Sequence, residues 1–318
     1  MFQIKFKVEN YAEINFYTDI EKVKDLILIE SQKITKTIPI TDIEVFHVDK
    51  SNINMKDALI IKSGSEKKLE YDKDSNAAIV SINDDLRLFD ITYILLEMFE
   101  NSLIRNKKYL VHSSALKYDD DKSILLLGDA NAGKSSLAYS LMNDYGMKLI
   151  SNDHTLVGFE NNKLKTYAGT KLLEMRNGII LEKFPNLLDK VIINKDNNIW
   201  NNKTIINKYI DKNLFSNNDI THVTDVFQIS VTNGGDAFLQ TKDHYDQRLI
   251  LYQRICDELK GNYNLILGFD YPMPSLESFE VLNSINNDIK GCLANTEVHI
   301  ASGPIKQLTK KMVNQIEK

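Results

Sequence analysis

Cysteine is nearly absent: Cys256 and Cys292 are the two in 318 residues, and both lie in apolar or helical stretches. That excludes a disulfide-stapled scaffold and leaves two free core thiols. No run approaches the ~20 consecutive apolar residues of a membrane-spanning helix. The 39 basic residues are interspersed with 44 acidic ones, for a formal charge of −5. The chain therefore has no electrostatic footprint for nucleic acid and no polybasic patch for an anionic membrane. No Cys/His group has the spacing of a zinc site, and no serine sits in a nucleophile elbow. There is no internal repeat and no low-complexity linker. The opening residues, Met-Phe-Gln-Ile-Lys-Phe-Lys-Val, alternate like a strand and lack the apolar block of a signal peptide. The expected setting is the reducing cytoplasm.

What is present suffices for a substantial core: 43% of the residues are hydrophobic, and the length suits two domains. Residues 1 to about 85 read as short strands, with Ile4, Phe6 and Val8 alternating and apolar runs at 58–61 and 77–82. Residues 21–31 suit a short helix. From 85 to 106, Leu88, Ile91, Ile94, Leu95, Phe99 and Leu103 fall at three- and four-residue steps, the period of a helix. Residues 1–108 are accordingly expected to form a small β-rich accessory module with a connecting helix, and 109–318 an α/β catalytic domain. In that second part, strands are expected at 109–112 (which 113–118 continues or follows), 147–150, 172–176, 191–194, 225–231 and 298–300, with a polar hairpin near 160–163. Helices are expected at 245–259 and after Pro304.

The most informative segment is Gly128-Asp129-Ala130-Asn131-Ala132-Gly133-Lys134-Ser135. An apolar strand, Ile124 to Leu127, runs into it, and Ser136-Leu-Ala-Tyr-Ser-Leu continues it as a helix. Strand, glycine-bounded loop and helix occur in the order a P-loop requires. Its glycines let successive backbone N–H groups face one anion, and the positive end of the helix favours the same anion. Lys134 is expected to reach the β- and γ-phosphates of a nucleoside triphosphate, and the Ser135 hydroxyl to ligate magnesium. Lys134 is also expected to be solvent accessible, so that its removal spares the fold.

Other residues are less decisive on their own. Asp153 ends the strand after the P-loop helix; it suits magnesium ligation or proton abstraction, and equally a turn or helix cap. His112 ends a strand before the P-loop, where histidines are commonly structural. Glu174 and Arg176 alternate with Leu173 and Met175 and project from one face. They suit a surface ion pair, or a metal ligand with a phosphate clamp. His244 and Asp246 read as a solvated stretch before a helix. Trp200 reads as a loop anchor against the core rather than the wall of an acceptor pocket.

Taken in order, His112-Ser-Ser-Ala-Leu, the P-loop with Asp129 after its first glycine, Leu149-Ile-Ser-Asn152-Asp153 and Leu173-Glu174-Met-Arg176 resemble the HPr kinase/phosphorylase family and its stand-alone relatives, some of which modify peptides. The motifs cover about residues 109–180. The resemblance implies a P-loop fold akin to phosphoenolpyruvate carboxykinase, and magnesium-dependent transfer from ATP or another nucleoside triphosphate to a serine hydroxyl. It maps the family's histidine to His112 and its glutamate and arginine to Glu174 and Arg176, with Ser135, Asp153 and Glu174 around the metal. Two departures stand out. The first residue of the family's acidic pair, its proposed proton acceptor, is Asn152, whose amide accepts no proton near neutral pH. Asn177 replaces a glycine after the signature arginine. Either Asp153 or His112 then takes the base role, or a loose transition state makes strong base catalysis unnecessary. Both departures argue against a bifunctional enzyme acting on HPr itself.

The expected activity is a kinase acting on a hydroxyl, with Ser/Thr of a peptide or a serine-like small molecule as acceptor. A sugar, nucleoside or antibiotic kinase, and a nucleotide-binding regulator with decayed catalysis, are the alternatives. Acceptor specificity is expected in the Asn-rich stretch 186–220, with the N-terminal module as a second candidate. Homo-oligomerisation is implied by analogy with the family alone.

Overall fold

The computed structural model describes residues 1–82, 86–191, 193, 198–261 and 273–318. It is a mixed α/β structure of two compact units, 1–111 with 253–286 and 112–252 with 287–318. The N-terminal part of the first unit ends at 111, where the sequence suggested 108, and residues 253–286 group with it.

In the first unit, β1 (Phe2–Val8), β2 (Ala12–Thr18), β3 (Asp42–His47), β4 (Ala58–Ser63), β5 (Lys68–Asp72) and β6 (Ala77–Ile82) form one sheet in the order β3-β1-β2-β4-β6-β5. The alternation read from the sequence is the burial pattern: Ile4, Phe6 and Val8 are fully buried while their neighbours are not. Strands β2, β4 and β6 are parallel, and the run Ala58–Ile61 is buried throughout, as parallel strands covered on both faces require. The helix Leu88–Arg105 buries Ile91, Ile94, Leu95 and Phe99 at the expected period. It also buries Glu97 and Glu100, whose Oε1 atoms have no hydrogen-bond partner among the described residues.

Desolvation pushes the Glu97 carboxyl up to about 8, with Glu258 adding to the rise and Lys73 opposing it. Burial likewise raises Glu100. The unfolded chain would release these protons near pH 4, so their neutral forms cost least below that pH. The resulting stability is lost as pH rises toward 8. Glu97→Gln should therefore stabilise the chain by on the order of 3 kcal/mol at pH 7, with little effect at pH 4. Thermal unfolding of both proteins across that range checks this; an equal gain at pH 4 and pH 8 would contradict it.

Strand β7 (Lys108–Lys117), which belongs to the second unit from His112 on, and β8 (Lys122–Leu127), β9 (Lys148–Ser151), β10 (His154–Glu160), β11 (Lys163–Gly169), β12 (Glu174–Arg176), β13 (Lys203–Ile205), β14 (Thr221–Val231), β15 (Phe238–Thr241) and β16 (Glu297–Gly303) supply two sheets. The larger runs β11-β10-β7-β8-β14-β16-β15, with β9 paired to β7 and β11 also meeting β14. β8, β14 and β16 are parallel. β12 and β13 make a separate ribbon. The β10–β11 hairpin turns at Asn161 and Asn162, both at positive φ, as a tight hairpin turn demands. The helices Lys134–Tyr145 and Ile305–Ile316 contribute Leu137, Leu141, Leu308 and Met312 to a core shared with Leu126, Phe227 and Ile229.

Most expected elements form where the sequence places them. The strand expected over 172–176 is confined to Glu174–Arg176. The strand expected at 191–194 falls largely outside the described residues. Both cysteines are free and buried, and burial lifts the Cys292 thiol to about 12.

Candidate active site

The P-loop begins where β8 ends. Ile124–Leu127 is apolar and buried on both faces between β7 and β14, so the loop is launched from a fixed strand. The turn is tight. Gly133 has φ +96°, and a Cβ there would lie 2.5 Å from Val231 Cγ2. Val231 cannot retreat freely, because its N–H donates to the Ala132 carbonyl at 2.9 Å. Gly133→Ala should therefore cost about 1–3 kcal/mol of stability. It should also weaken nucleotide binding at least about tenfold, because 1.4 kcal/mol of loop distortion already has that effect. Calorimetric titration and thermal unfolding test this, and unchanged affinity would contradict it. Asn131 sits in the left-handed region at φ +70°, which asparagine tolerates. Its Oδ1 accepts from Arg176 Nη2 at 2.7 Å. The other arm of Arg176 donates to the Trp200 carbonyl.

Lys134 corrects one expectation. It is 7% exposed rather than solvent accessible. Its Nζ donates to the carbonyls of Gly128 at 2.7 Å and Asp129 at 3.2 Å. The ammonium is thus folded back on its own loop and bonded to backbone carbonyls.

The turn after β9 carries Asn152 and Asp153, and hydrogen bonds fix it from several sides. The Asn152 N–H donates to Thr170 O at 2.8 Å, and the Ser113 N–H to Asp153 O at 3.0 Å. Thr170 Oγ1 accepts from the His154 N–H at 2.9 Å. Asn152 is buried; its Nδ2 donates to Leu172 O at 3.0 Å, and its backbone carbonyl accepts from Ser114 Oγ at 2.8 Å. The Leu172 bond needs the amide, because an acceptor-only carboxylate could not donate it, whereas the Ser114 bond goes to the backbone and does not depend on the side chain. Asp153, held by the same turn, stays 33% exposed. His112 Nε2 lies 3.8 Å from Asp153 Oδ1, and His154 Nδ1 lies 3.8 Å from Oδ2. Both separations exceed a hydrogen bond but place an imidazole on each side of the carboxylate. The His112 and His154 rings meet edge-on at 5.5 Å. His154 Nδ1 is buried with no hydrogen-bond partner among the described residues; nothing in the sequence singled out this residue.

Strand β12 presents Glu174 and Arg176 on one face while Met175 is buried between them. Asn177, the second departure, is buried and starts the helix Asn177–Lys183. Its Oδ1 accepts from Thr204 Oγ1 at 2.7 Å, and its N–H donates to Asn202 O. A glycine could not make the first of these bonds. Trp200 packs its ring over buried Gly178, where a Cβ would come within 2.5 Å of it, as a loop anchor would, but it stays 43% exposed. His244 and Asp246 are at the exposed start of a helix, with Asp246 paired to Lys242 at 2.7 Å.

One cavity of about 340 Å³ gathers these parts. It is lined by the P-loop from Ala130 through Ser136 (save Ala132), and by His112, Asn152, Asp153, Glu174 and Arg176. Gly128, Asp129 and Ala132 lie outside its lining; Asp129 and Ala132 border a second cavity against the ends of β14 and β16. Lys183 and Lys203 also line the first cavity, together with Asn233. Sequence reasoning missed both lysines, because isolated lysines carry no pattern; Lys203 does fall in the stretch expected to hold specificity. Four permanent cations, Lys134, Arg176, Lys183 and Lys203, face two carboxylates, Asp153 and Glu174. The surplus suits a polyphosphate. The residues also suit magnesium: the carboxylates and the Ser135 hydroxyl supply the hard oxygen donors it takes, beside amides able to hold the phosphates it bridges.

No family model matches the chain, and no curated protein matches it. Among solved structures, it is similar to the HPr(Ser) kinase/phosphatase from Coxiella burnetii, at 14% identity and a TM-score of 0.30, over 66% of this chain and 99% of that one.

Proposed function

We propose that the chain is an ATP- and magnesium-dependent kinase that transfers the γ-phosphoryl group to a hydroxyl, with a serine or threonine of a peptide, or a serine-like small molecule, as acceptor. The observation that carries this reading is the single cavity lined at once by Lys134, Ser135, His112, Asp153, Glu174 and Arg176. The choice of hydroxyl rests on the motif resemblance to HPr-kinase-like enzymes.

On this reading the backbone amides at the start of the helix Lys134–Tyr145 hold the phosphates. Lys134 turns from the loop carbonyls to the phosphate oxygens, exchanging neutral acceptors for charged ones, which bind an ammonium more strongly. Arg176, locked to Asn131 of the loop, sets its charge beside the transferred group as negative charge develops. Asp153 accepts the proton of the acceptor hydroxyl, with His112 beside it to stabilise the arrangement. Ser135, Asp153 and Glu174 would hold magnesium, which would supply charge neutralisation of the phosphates. Asn152 does not argue for decayed catalysis, because its amide serves the turn while Asp153 keeps a carboxylate at the cavity.

The test is incubation with γ-labelled ATP, magnesium and either serine-containing peptides or free hydroxyl compounds, with products identified by mass. Label in a phosphate ester supports the reading. No transfer to any acceptor, and no protection of the chain by nucleotide against thermal unfolding, would remove it.

A further inference from the structure

At the other end of the same parallel strands, three ligand-bearing side chains converge without any role in the cavity above. Asp225 on β14 stands opposite Glu297 on β16, Phe227 opposite His299, and Thr241 on β15 opposite His299. His299 is fully buried and stacks on Phe227 with ring centroids 4.8 Å apart. Its Nε2 is 3.0 Å from Asp225 Oδ1 and 3.9 Å from Glu297 Oε2. One ligand atom from each of the three lies within 4.8 Å of the other two.

The geometry points to a divalent transition-metal site, of zinc type, formed by His299 Nε2, Asp225 and Glu297. Four donors about 2.0–2.1 Å from a tetrahedral ion stand about 3.3 Å from one another, and the two separations at Nε2 bracket that value. The imidazole is already aimed. Its Nδ1 is 3.0 Å from Thr241 Oγ1, the kind of bond that fixes the tautomer and ring plane of a ligating histidine. Asp225 is 8% exposed, and among the described residues no lysine or arginine lies within 4 Å of either carboxylate. A buried carboxylate without a cation is costly, and a metal ion is one way such a charge is matched. Glu297 is exposed and accepts a hydrogen bond from Gln315 Nε2 at 3.4 Å, so it provides the entry side. Without the ion, a proton on Nε2 donates to Asp225. With it, Nε2 ligates and the proton sits on Nδ1, donating to Thr241. The imidazole donor selects zinc over magnesium, which prefers oxygen ligands alone. A magnesium ion at the P-loop is therefore a separate matter.

The test uses the full chain carrying Asp153→Asn. That change removes the carboxylate that lies 3.8 Å from both His112 and His154, a second spot where imidazole and carboxylate approach each other. Equilibrium dialysis against zinc should give one ion per chain, retained in excess magnesium, with one imidazole among its ligands by X-ray absorption. Adding Glu297→Gln, at an exposed position that leaves the fold alone, should abolish stoichiometric binding. Thr241→Val should weaken it about 10- to 100-fold. Zinc should raise the melting temperature of the Asp153→Asn chain and leave that of the Glu297→Gln double variant unchanged. No bound zinc, or zinc that binds equally in the Glu297→Gln chain, would overturn the assignment.

Discussion

Lys134→Ala should reduce phosphoryl transfer by about 10²- to 10³-fold or more, the usual consequence of removing a charge that stabilises a transferring phosphoryl group. The structure adds a second effect. Lys134 is buried, and its ammonium ties the carbonyls of Gly128 and Asp129, so its loss should also cost about 1–3 kcal/mol of stability. The variant should unfold cooperatively at a lower temperature and still be folded when assayed. Lys134→Arg should not rescue transfer, because a rigid planar fork cannot occupy the ammonium's position between two carbonyls. Steady-state kinetics and unfolding curves on the three proteins make the comparison. A folded Lys134→Ala protein with near-normal turnover would mean that the P-loop is not the phosphate site.

Asp153→Ala should lower turnover by about 10²- to 10⁴-fold, the range for loss of a positioned general base, with much smaller change in nucleotide affinity. Asn152→Ala should do the opposite: its larger effect is on stability, about 1–3 kcal/mol, because the Leu172 carbonyl loses its buried donor. Asn152→Asp, which restores the family's acidic pair, should destabilise rather than activate. It places a carboxylate against the Leu172 carbonyl in a position only 6% exposed. Separate measurement of turnover, KM and melting temperature in the three variants decides the matter. If Asn152→Ala proves the more damaging to turnover, the role assigned to Asp153 falls.

How much of this was legible in the chain differs by part, for physical reasons. The tight turn between β8 and its helix was readable because the glycines that permit it must sit within the turn itself. Gly133 shows the cause directly, since both its φ and the approach of Val231 exclude any Cβ. Glu174 and Arg176 were readable as a pair on one face because a strand alternates. The sequence left open what they face, since spacing along one strand says nothing about the partner across a gap. The burial of Lys134, the exposure of Trp200 and the tie formed by Asn152 were not legible. Each depends on chain segments that arrive from elsewhere.

The strand order of the second unit makes the same distinction. Hydrophobic periodicity and turn residues determined where β8, β14, β16 and the P-loop helix would form, because those are local preferences of the backbone. Only tertiary structure decided that His112, Asp153, Arg176 and Lys203 would share one cavity. Only pairing among β14, β15 and β16 set Asp225, Thr241, Glu297 and His299 side by side, in a sequence with no Cys/His group of zinc spacing. Local sequence governs which groups exist and how each segment bends; proximity between segments is set by strand register and core packing, which no single stretch of the chain encodes.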